Sequence, residues 1–258
     1  MKIQFSKYHG TGNDFIILDN REGMYSGLTT EQVNFLCNRR FGIGADGLMM
    51  LENENGFDFR MRYYNSDGKE GSMCGNGGRC LVQFAKDNGI IKTDFHFIAS
   101  DGQHEASILS DGKIKLKMQD VTGLEERNDV KILNTGSPHF IQFVSQLNDL
   151  DVYSAGKSIR YSEPFKAEGI NVNFVQRLPD GIRIRTYERG VEDETLSCGT
   201  GATAAALASS EVDGRQTTSV KVQGGDLKVE FDRVSEKEFN NIWLIGPAAY
   251  VFNGTIEI

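Results

Sequence analysis

The chain has 258 residues, of which 39% are hydrophobic and 25% are charged, values typical of a soluble globular protein and not of a disordered one. A net charge of -8 without any basic cluster argues against nucleic acid as a partner. The first residues lack the apolar core of a signal peptide, and no apolar run is long enough to span a bilayer. We therefore expect a cytoplasmic protein that does not contact membranes and whose four cysteines are reduced.

Glycine and proline usage predicts many short strands and few helices, because twenty-nine glycines but only four prolines separate β-branched and aromatic runs. The first predicted helix begins near Thr29, where Thr29 and Gln32 can form a capping box. A second is predicted over residues 77–88 and a third, rich in alanine, over residues 201–211.

Residues 42–47 match the pattern G-x-G-x-x-G, which in a dinucleotide-binding fold lies between a strand and a helix. Here the order is reversed, because the glycines follow the first predicted helix and precede a strand-like run at residues 48–51. The pattern therefore predicts a tight helix-to-strand turn and no nucleotide site.

The segments that precede the second and third helices are similar, which indicates an internal duplication. A strand-like stretch at residues 57–64 leads to Cys74-Gly75-Asn76-Gly77, and a similar stretch at residues 181–187 leads to Cys198-Gly199-Thr200-Gly201. We predict an α+β fold of two pseudo-symmetric lobes, each a mostly antiparallel sheet around a central helix, with the active site in the cleft between them. The expected lobes are residues 1–118 and 119–258, and the last residues could return to the first lobe.

Each of these loops places a cysteine immediately before a helix, among unpaired N–H groups at the positive end of the helix dipole. This position favours the thiolate, and the same N–H groups can hold a substrate carboxylate. If Cys74 and Cys198 face one another, one thiolate can remove an α-proton while the other thiol protonates the opposite face. The sequence thus predicts a cofactor-independent amino-acid epimerase.

Other interpretations of the cysteines and histidines have less support. Cys37 and Cys80 lie on apolar helix faces and are expected to be small buried residues. No metal site is expected, because there is no C-x-x-C pair and the four histidines are scattered. A thiol hydrolase with Cys74 as nucleophile and His139 as base would leave the Cys198 loop without a use.

The motifs as a set resemble those of the diaminopimelate epimerase family, over essentially the whole chain. They lie at residues 9–15, 64–68, 74–80, 136–139, 171–174, 188–190 and 198–201. The resemblance implies interconversion of LL- and meso-2,6-diaminopimelate without pyridoxal phosphate or metal, in lysine and peptidoglycan precursor synthesis. It also implies a homodimer.

The resemblance further implies roles for single residues. Cys74 and Cys198 match the acid and base, and Glu188 and His139 match positions that support catalysis. Matches to substrate-binding positions are Asn13, Asn65, Gly75, Asn76, Asn171, Glu188, Arg189, Gly199 and Thr200. Two departures are Ser137, where many members have a substrate-binding asparagine, and Gly47, where some have a glutamine.

Two alternatives share the predicted fold. A proline-racemase-like enzyme or hydroxyproline epimerase would use the same two-cysteine chemistry on a smaller substrate. Such enzymes commonly have histidine where Asn76 stands and have less use for Asn65, Asn171 and Arg189. A non-catalytic metabolite-binding protein would need neither cysteine.

Overall fold

The computed structural model describes residues 1–258, which pack as two compact units. The first unit comprises residues 1–116 and 247–258, and the second comprises residues 117–246. The C-terminal segment thus packs with the N-terminal half of the chain. None of the helices has the length and apolar character needed to cross a membrane.

The first unit is a run of paired strands with two helices. Its elements are β1 (Lys2–Gly10), β2 (Asn13–Asp19), α1 (Thr30–Cys37), β3 (Gly47–Glu52), β4 (Phe59–Asn65), α2 (Gly75–Asp87), β5 (Asp94–Ala99), β6 (Gly102–Ile108), β7 (Ile114–Lys117) and, from the C-terminus, β18 (Ala249–Glu257). The strands lie in the order β18-β1-β2-β3-β4-β5-β6-β7. The pairs β2–β3 and β4–β5 are parallel, and the other pairs are antiparallel.

The second unit contains β8 (Val121–Thr122), β9 (Glu125–Arg127), β10 (Val130–Asn134), β11 (Pro138–Phe143), α3 (Val152–Arg160), β12 (Asn171–Leu178), β13 (Gly181–Glu188), β14 (Asp193–Thr195), α4 (Gly199–Ala208), β15 (Gly214–Val222), β16 (Gly225–Ser235) and β17 (Glu238–Gly246). Its principal strands lie in the order β10-β11-β12-β13-β15-β16-β17. Here β11–β12 and β13–β15 are parallel.

The pairing pattern repeats strand by strand, which confirms the predicted duplication. From β1 to β7 and from β10 to β17, without the short β14, the six successive pairs are antiparallel, parallel, antiparallel, parallel, antiparallel and antiparallel. α2 and α4 occupy equivalent places in this order, and each packs against several strands of its own unit. Nine of the ten residues of α4 are buried, and all but Leu207 and the two threonines are glycine or alanine.

The helices begin where the sequence places caps, with differences of a few residues. Thr29 caps α1 through the complete capping box with Gln32. α2 and α4 each begin two residues before the predicted start, so Cys74 and Cys198 are themselves the N-cap residues. Residues 38–46 form the tight helix-to-strand connection that was predicted for the glycine-rich segment.

The helix α3 was not predicted, because it is short and has a glycine at its centre. Asp151 caps it by accepting a hydrogen bond from the backbone N–H of Ser154, at 3.1 Å. A Cβ at Gly156 would lie 2.3 Å from the Cβ of Tyr187, so the close approach of helix and strand requires glycine there. Gly156, which disfavours a helix by its propensity, is thus required at this position by packing.

Candidate active site

The first cysteine loop holds Cys74 at the N-terminus of α2, in an extended conformation with φ -100° and ψ 126°. Its thiol donates to Oδ1 of Asn13 at 3.7 Å, and the Asn76 amide donates to the same oxygen at 3.1 Å. Asn76 is only 1% exposed, so its amide is part of the wall behind the thiol. The structure thus brings together three of the predicted site residues of the first unit.

The orientation of the Asn13 amide is fixed by a carboxylate. Its Nδ2 donates to Oδ2 of Asp46 at 2.7 Å, which leaves Oδ1 as the atom that faces Cys74. Asp46 is in turn paired with Arg39 at 2.7 Å, and Arg39 also binds Asp14 at 2.6 Å. Because an amide oxygen only accepts, Cys74 is the hydrogen-bond donor in this contact.

A buried charge lies directly behind the first loop. Arg79 on α2 is fully buried and donates to Oδ1 of Asn76 at 2.9 Å and to the carbonyl of Gly75 at 3.1 Å. Burial lowers the pKa of Arg79, and the negative charge of Cys80 or Cys74 would oppose that shift. By the same attraction, the guanidinium favours the ionised form of Cys74 over the neutral thiol.

The second cysteine loop holds Cys198 at the N-terminus of α4 with a different pattern of hydrogen bonds. Its sulfur accepts from the backbone N–H of Gly201 at 3.4 Å and lies 3.4 Å from the Thr200 hydroxyl. The Thr135 hydroxyl donates to the carbonyl of Thr200 at 2.9 Å and holds the loop. Cys198 is 5% exposed and Gly199 is buried, so the helix start is screened from water.

His139 lies behind the second loop and is fully buried. Its Nδ1 is 3.1 Å from the Nδ2 of Asn173, and its Nε2 is 3.0 Å from the Ser137 hydroxyl. Burial, aided by the positive charge of Arg189, lowers the pKa of His139 to about 3. The imidazole is therefore neutral at physiological pH and cannot act as a cation.

The residues expected to bind the far end of a substrate lie at strand ends. Asn171 Oδ1 accepts from the backbone N–H of Arg189 at 2.9 Å, and its amide donates to Ser137 at 3.1 Å. Glu188 accepts from the Thr195 hydroxyl at 2.9 Å. In the first unit Asn65 is exposed at the end of β4. These contacts place Asn171, Arg189 and Glu188 close together, within one unit.

Gly47 leaves no space for a longer side chain at its position. A Cβ there would lie 2.6 Å from Cε2 of Tyr63 and 2.7 Å from the carbonyl of Tyr64. The tyrosine ring therefore occupies the volume that a side chain at this position would need. The absence of a side chain at Gly47 is thus compensated by the ring of Tyr63.

Four residues of these surroundings were not assigned roles from the sequence: Asp46, Arg79, Asn173 and Thr135. Arg79 could have been found, since a charged residue among the apolar positions of a helix requires a buried partner. The other three are polar residues at loops or strand positions, and their partners are distant in sequence.

Cys37 and Cys80 are buried as predicted, and burial raises the pKa of each thiol to about 12. No group of three or more His, Cys, Asp or Glu side chains is placed to hold a metal ion.

Comparison with known proteins gives a consistent result. The sequence model described as diaminopimelate epimerase matches residues 5–123 and 132–251. A diaminopimelate epimerase of Flavobacterium psychrophilum is 51% identical, over 98% of this chain and 100% of the relative, and one of Chlorobaculum tepidum is 46% identical, over 96% and 99%. Among solved structures, a phenazine biosynthesis protein of the PhzF family from Bacillus anthracis aligns over 100% of both chains with a TM-score of 0.76 at 18% identity, which shows a shared fold.

Proposed function

Because the chain belongs to the diaminopimelate epimerase family, we propose that it interconverts LL- and meso-2,6-diaminopimelate by a two-base mechanism that needs neither pyridoxal phosphate nor metal. The product would serve lysine and peptidoglycan precursor synthesis. The observation that supports this mechanism is the pair of equivalent loops, each with a cysteine as the N-cap residue of a buried helix.

The proposed reaction begins with a thiolate that removes the α-proton of the substrate. The opposite thiol then delivers its proton to the other face of the same carbon, so that the configuration inverts and the two cysteines exchange protonation states. An α-proton beside a carboxylate is weakly acidic, and the charge that develops on the carboxylate needs stabilisation. The N–H groups at the starts of α2 and α4 are suited to this, since Gly75 and Asn76 of α2 and Gly199 of α4 are buried.

We assign four of the predicted residues to binding the distal amino-acid group of the substrate: Asn65, Asn171, Glu188 and Arg189. The Arg189 guanidinium suits a second carboxylate, and the amides of Asn65 and Asn171 suit a carboxylate or an ammonium group. Glu188 suits an ammonium group by charge. A proline or hydroxyproline substrate has no distal group, so this set of polar side chains favours diaminopimelate over the smaller substrates.

The test is α-proton exchange followed by 1H NMR, with LL-diaminopimelate and the reduced protein in D2O. We expect deuterium incorporation with inversion in the wild type and its loss in Cys74→Ala and Cys198→Ala. Cys37→Ala is the matched control, because it removes a buried thiol elsewhere in the chain and should retain exchange. Exchange with proline or hydroxyproline alone would indicate the smaller-substrate enzymes, and binding of diaminopimelate without exchange would indicate a non-catalytic binding protein.

We further propose that the protein is cytoplasmic and a homodimer. Tyr250, Val251 and Phe252 on β18 are each about half exposed, at 51%, 50% and 44%, so this strand exposes apolar side chains that a second copy would cover. Sedimentation velocity should show a dimer for the wild type and a shift towards monomer for Val251→Lys. A monomeric wild type at micromolar concentration would refute this assignment.

A further inference from the structure

The donor and the acceptor of each hydrogen bond behind Cys198 can be assigned in turn, starting from the Asn173 side chain. Asn173 Nδ2 lies 3.2 Å from the carbonyl of Phe140 and 3.4 Å from that of Asn171, and carbonyls only accept. Its Oδ1 accepts from the Thr186 hydroxyl at 2.9 Å. The amide therefore presents its N–H group, and not its oxygen, to His139.

This orientation sets the tautomer of His139. The Asn173 amide donates to Nδ1, at 3.1 Å, so Nδ1 carries no proton. Since the buried ring is neutral, its one proton is on Nε2, which donates to the Ser137 hydroxyl oxygen at 3.0 Å.

The tautomer of His139 in turn determines the direction of the hydrogen bond between Ser137 and Thr200. The serine oxygen accepts from His139 Nε2 and from the Asn171 amide, at 3.1 Å, which uses both of its lone pairs. Its own proton is therefore available for the Thr200 hydroxyl oxygen, at 3.2 Å. Thr200 accepts that bond at its oxygen, so its own proton is free to point to the Cys198 sulfur, which lies 3.4 Å away.

Cys198 thus receives two donors, the Thr200 hydroxyl and the backbone N–H of Gly201. Both stabilise a thiolate, since hydrogen bonds to the charged form favour it. Cys74 differs, because it donates its proton to an amide oxygen. The buried Arg79 guanidinium acts against this bond by favouring the ionised form of Cys74, but it donates no hydrogen bond to the sulfur. The two thiols of the proposed acid and base pair therefore differ in protonation before substrate binds.

We propose that Ser137 is a positioning residue that fixes the Thr200 hydroxyl as a donor to Cys198, so that Cys198 is the thiolate and Cys74 the thiol of the resting protein. The consequence for catalysis rests on the proposed two-base function, whereas the protonation states do not. Ser137 supplies a hydroxyl that both accepts and donates hydrogen bonds through one oxygen atom. An asparagine side chain could not link the two hydrogen bonds in this way, because the atom that accepts hydrogen bonds is not the atom that donates them.

The test is a pH titration of the protein labelled with 13Cβ cysteine, because the Cβ chemical shift reports ionisation of each thiol without substrate. Signals are assigned with Cys74→Ser and Cys198→Ser. Cys37 and Cys80 should not titrate below about pH 10, given their raised pKa values of about 12. In the wild type we expect Cys198 to ionise at lower pH than Cys74.

Removal of the donor should raise the Cys198 pKa by about one unit in Thr200→Val, roughly a tenfold lower thiolate fraction near neutral pH. Ser137→Ala should shift it in the same direction, and the hydroxyl-retaining controls Ser137→Thr and Thr200→Ser should restore most of the wild-type value. The Cys74 titration in the same spectra is the internal control and should not move.

The proposal is overturned if Cys198 titrates above Cys74, or if neither Ser137→Ala nor Thr200→Val moves its pKa. It is also overturned if Ser137→Thr shifts the pKa as much as Ser137→Ala, because the effect would then be one of packing. If Ser137→Ala does not fold, the Thr200→Val and Thr200→Ser pair tests the bond at its other end. Loss of the proposed epimerase function would appear instead as absent α-proton exchange with an unchanged titration.

Discussion

The duplicated loops contain two equivalent glycines that should respond differently to the same substitution. Gly77 and Gly201 are both the third residue of their helix, α2 and α4. A Cβ at Gly201 would lie 2.5 Å from the Asn173 Oδ1, whereas a Cβ at Gly77 would lie 3.0 Å from the sulfur of Met49. Asn173 is held by several hydrogen bonds, but a methionine side chain can move aside.

We therefore expect Gly201→Ala to destabilise the protein and Gly77→Ala to have little effect. In each variant alanine gains up to about 1 kcal/mol over glycine in a helix. At Gly201 overpacking costs about 1–3 kcal/mol and a weakened Asn173–Thr186 hydrogen bond costs about 1 kcal/mol more. The expected net loss is about 1–3 kcal/mol for Gly201→Ala and close to zero for Gly77→Ala.

The assay is urea unfolding followed by circular dichroism, with the free energy of unfolding extrapolated to zero denaturant for both variants and the wild type. The comparison between the two glycines removes the contribution of helix propensity, which is the same at equivalent positions. If both variants change the free energy of unfolding equally, the tight contact between Gly201 and Asn173 is not what distinguishes the loops.

Three further predictions concern stability. Thr29→Ala should lower the free energy of unfolding by about 1 kcal/mol because it removes the capping box of α1, whereas Thr30→Ala at the exposed next position should not, as urea unfolding would show. For Asp14, desolvation opposes ionisation, but hydrogen bonds from Arg39 and Lys7 outweigh it and lower the pKa to about 2. The free energy of unfolding of the wild type should thus exceed that of Asp14→Asn by about 1–2 kcal/mol above pH 4, and this difference should disappear as pH falls towards 2. A difference in the free energy of unfolding that stays constant with pH would refute this. Because the pKa of His139 is lowered to about 3, the unfolded protein binds a proton at this residue that the native protein does not. The free energy of unfolding should therefore fall as pH drops from about 6.5 towards 3, and His139→Gln should lack this component of the pH dependence. An identical slope for both proteins would contradict the prediction.

The features that the sequence determines are those set by local spacing. The glycine and alanine patterns after Cys74 and Cys198 predict the starts of α2 and α4 to within two residues, because capping depends on a few adjacent positions. The repeat of strand, loop and helix predicts the duplication, which the pairing order of both units confirms. The resemblance to an epimerase family follows from motifs that lie within short stretches of chain.

Only the tertiary structure decides which polar groups meet. Ser137 and Thr200 are 63 residues apart, and Asn13 and Cys74 are 61 apart, yet each pair shares a hydrogen bond. These meetings depend on strand register, such as the parallel pairing that sets His139 opposite Asn171. A sequence identifies a histidine or a serine, but the tautomer of His139 and the direction of the Ser137 hydroxyl depend on the donors and acceptors around them. The protonation of Cys198 is decided in the same way, because a thiol responds to the dipoles that the folded chain brings to it.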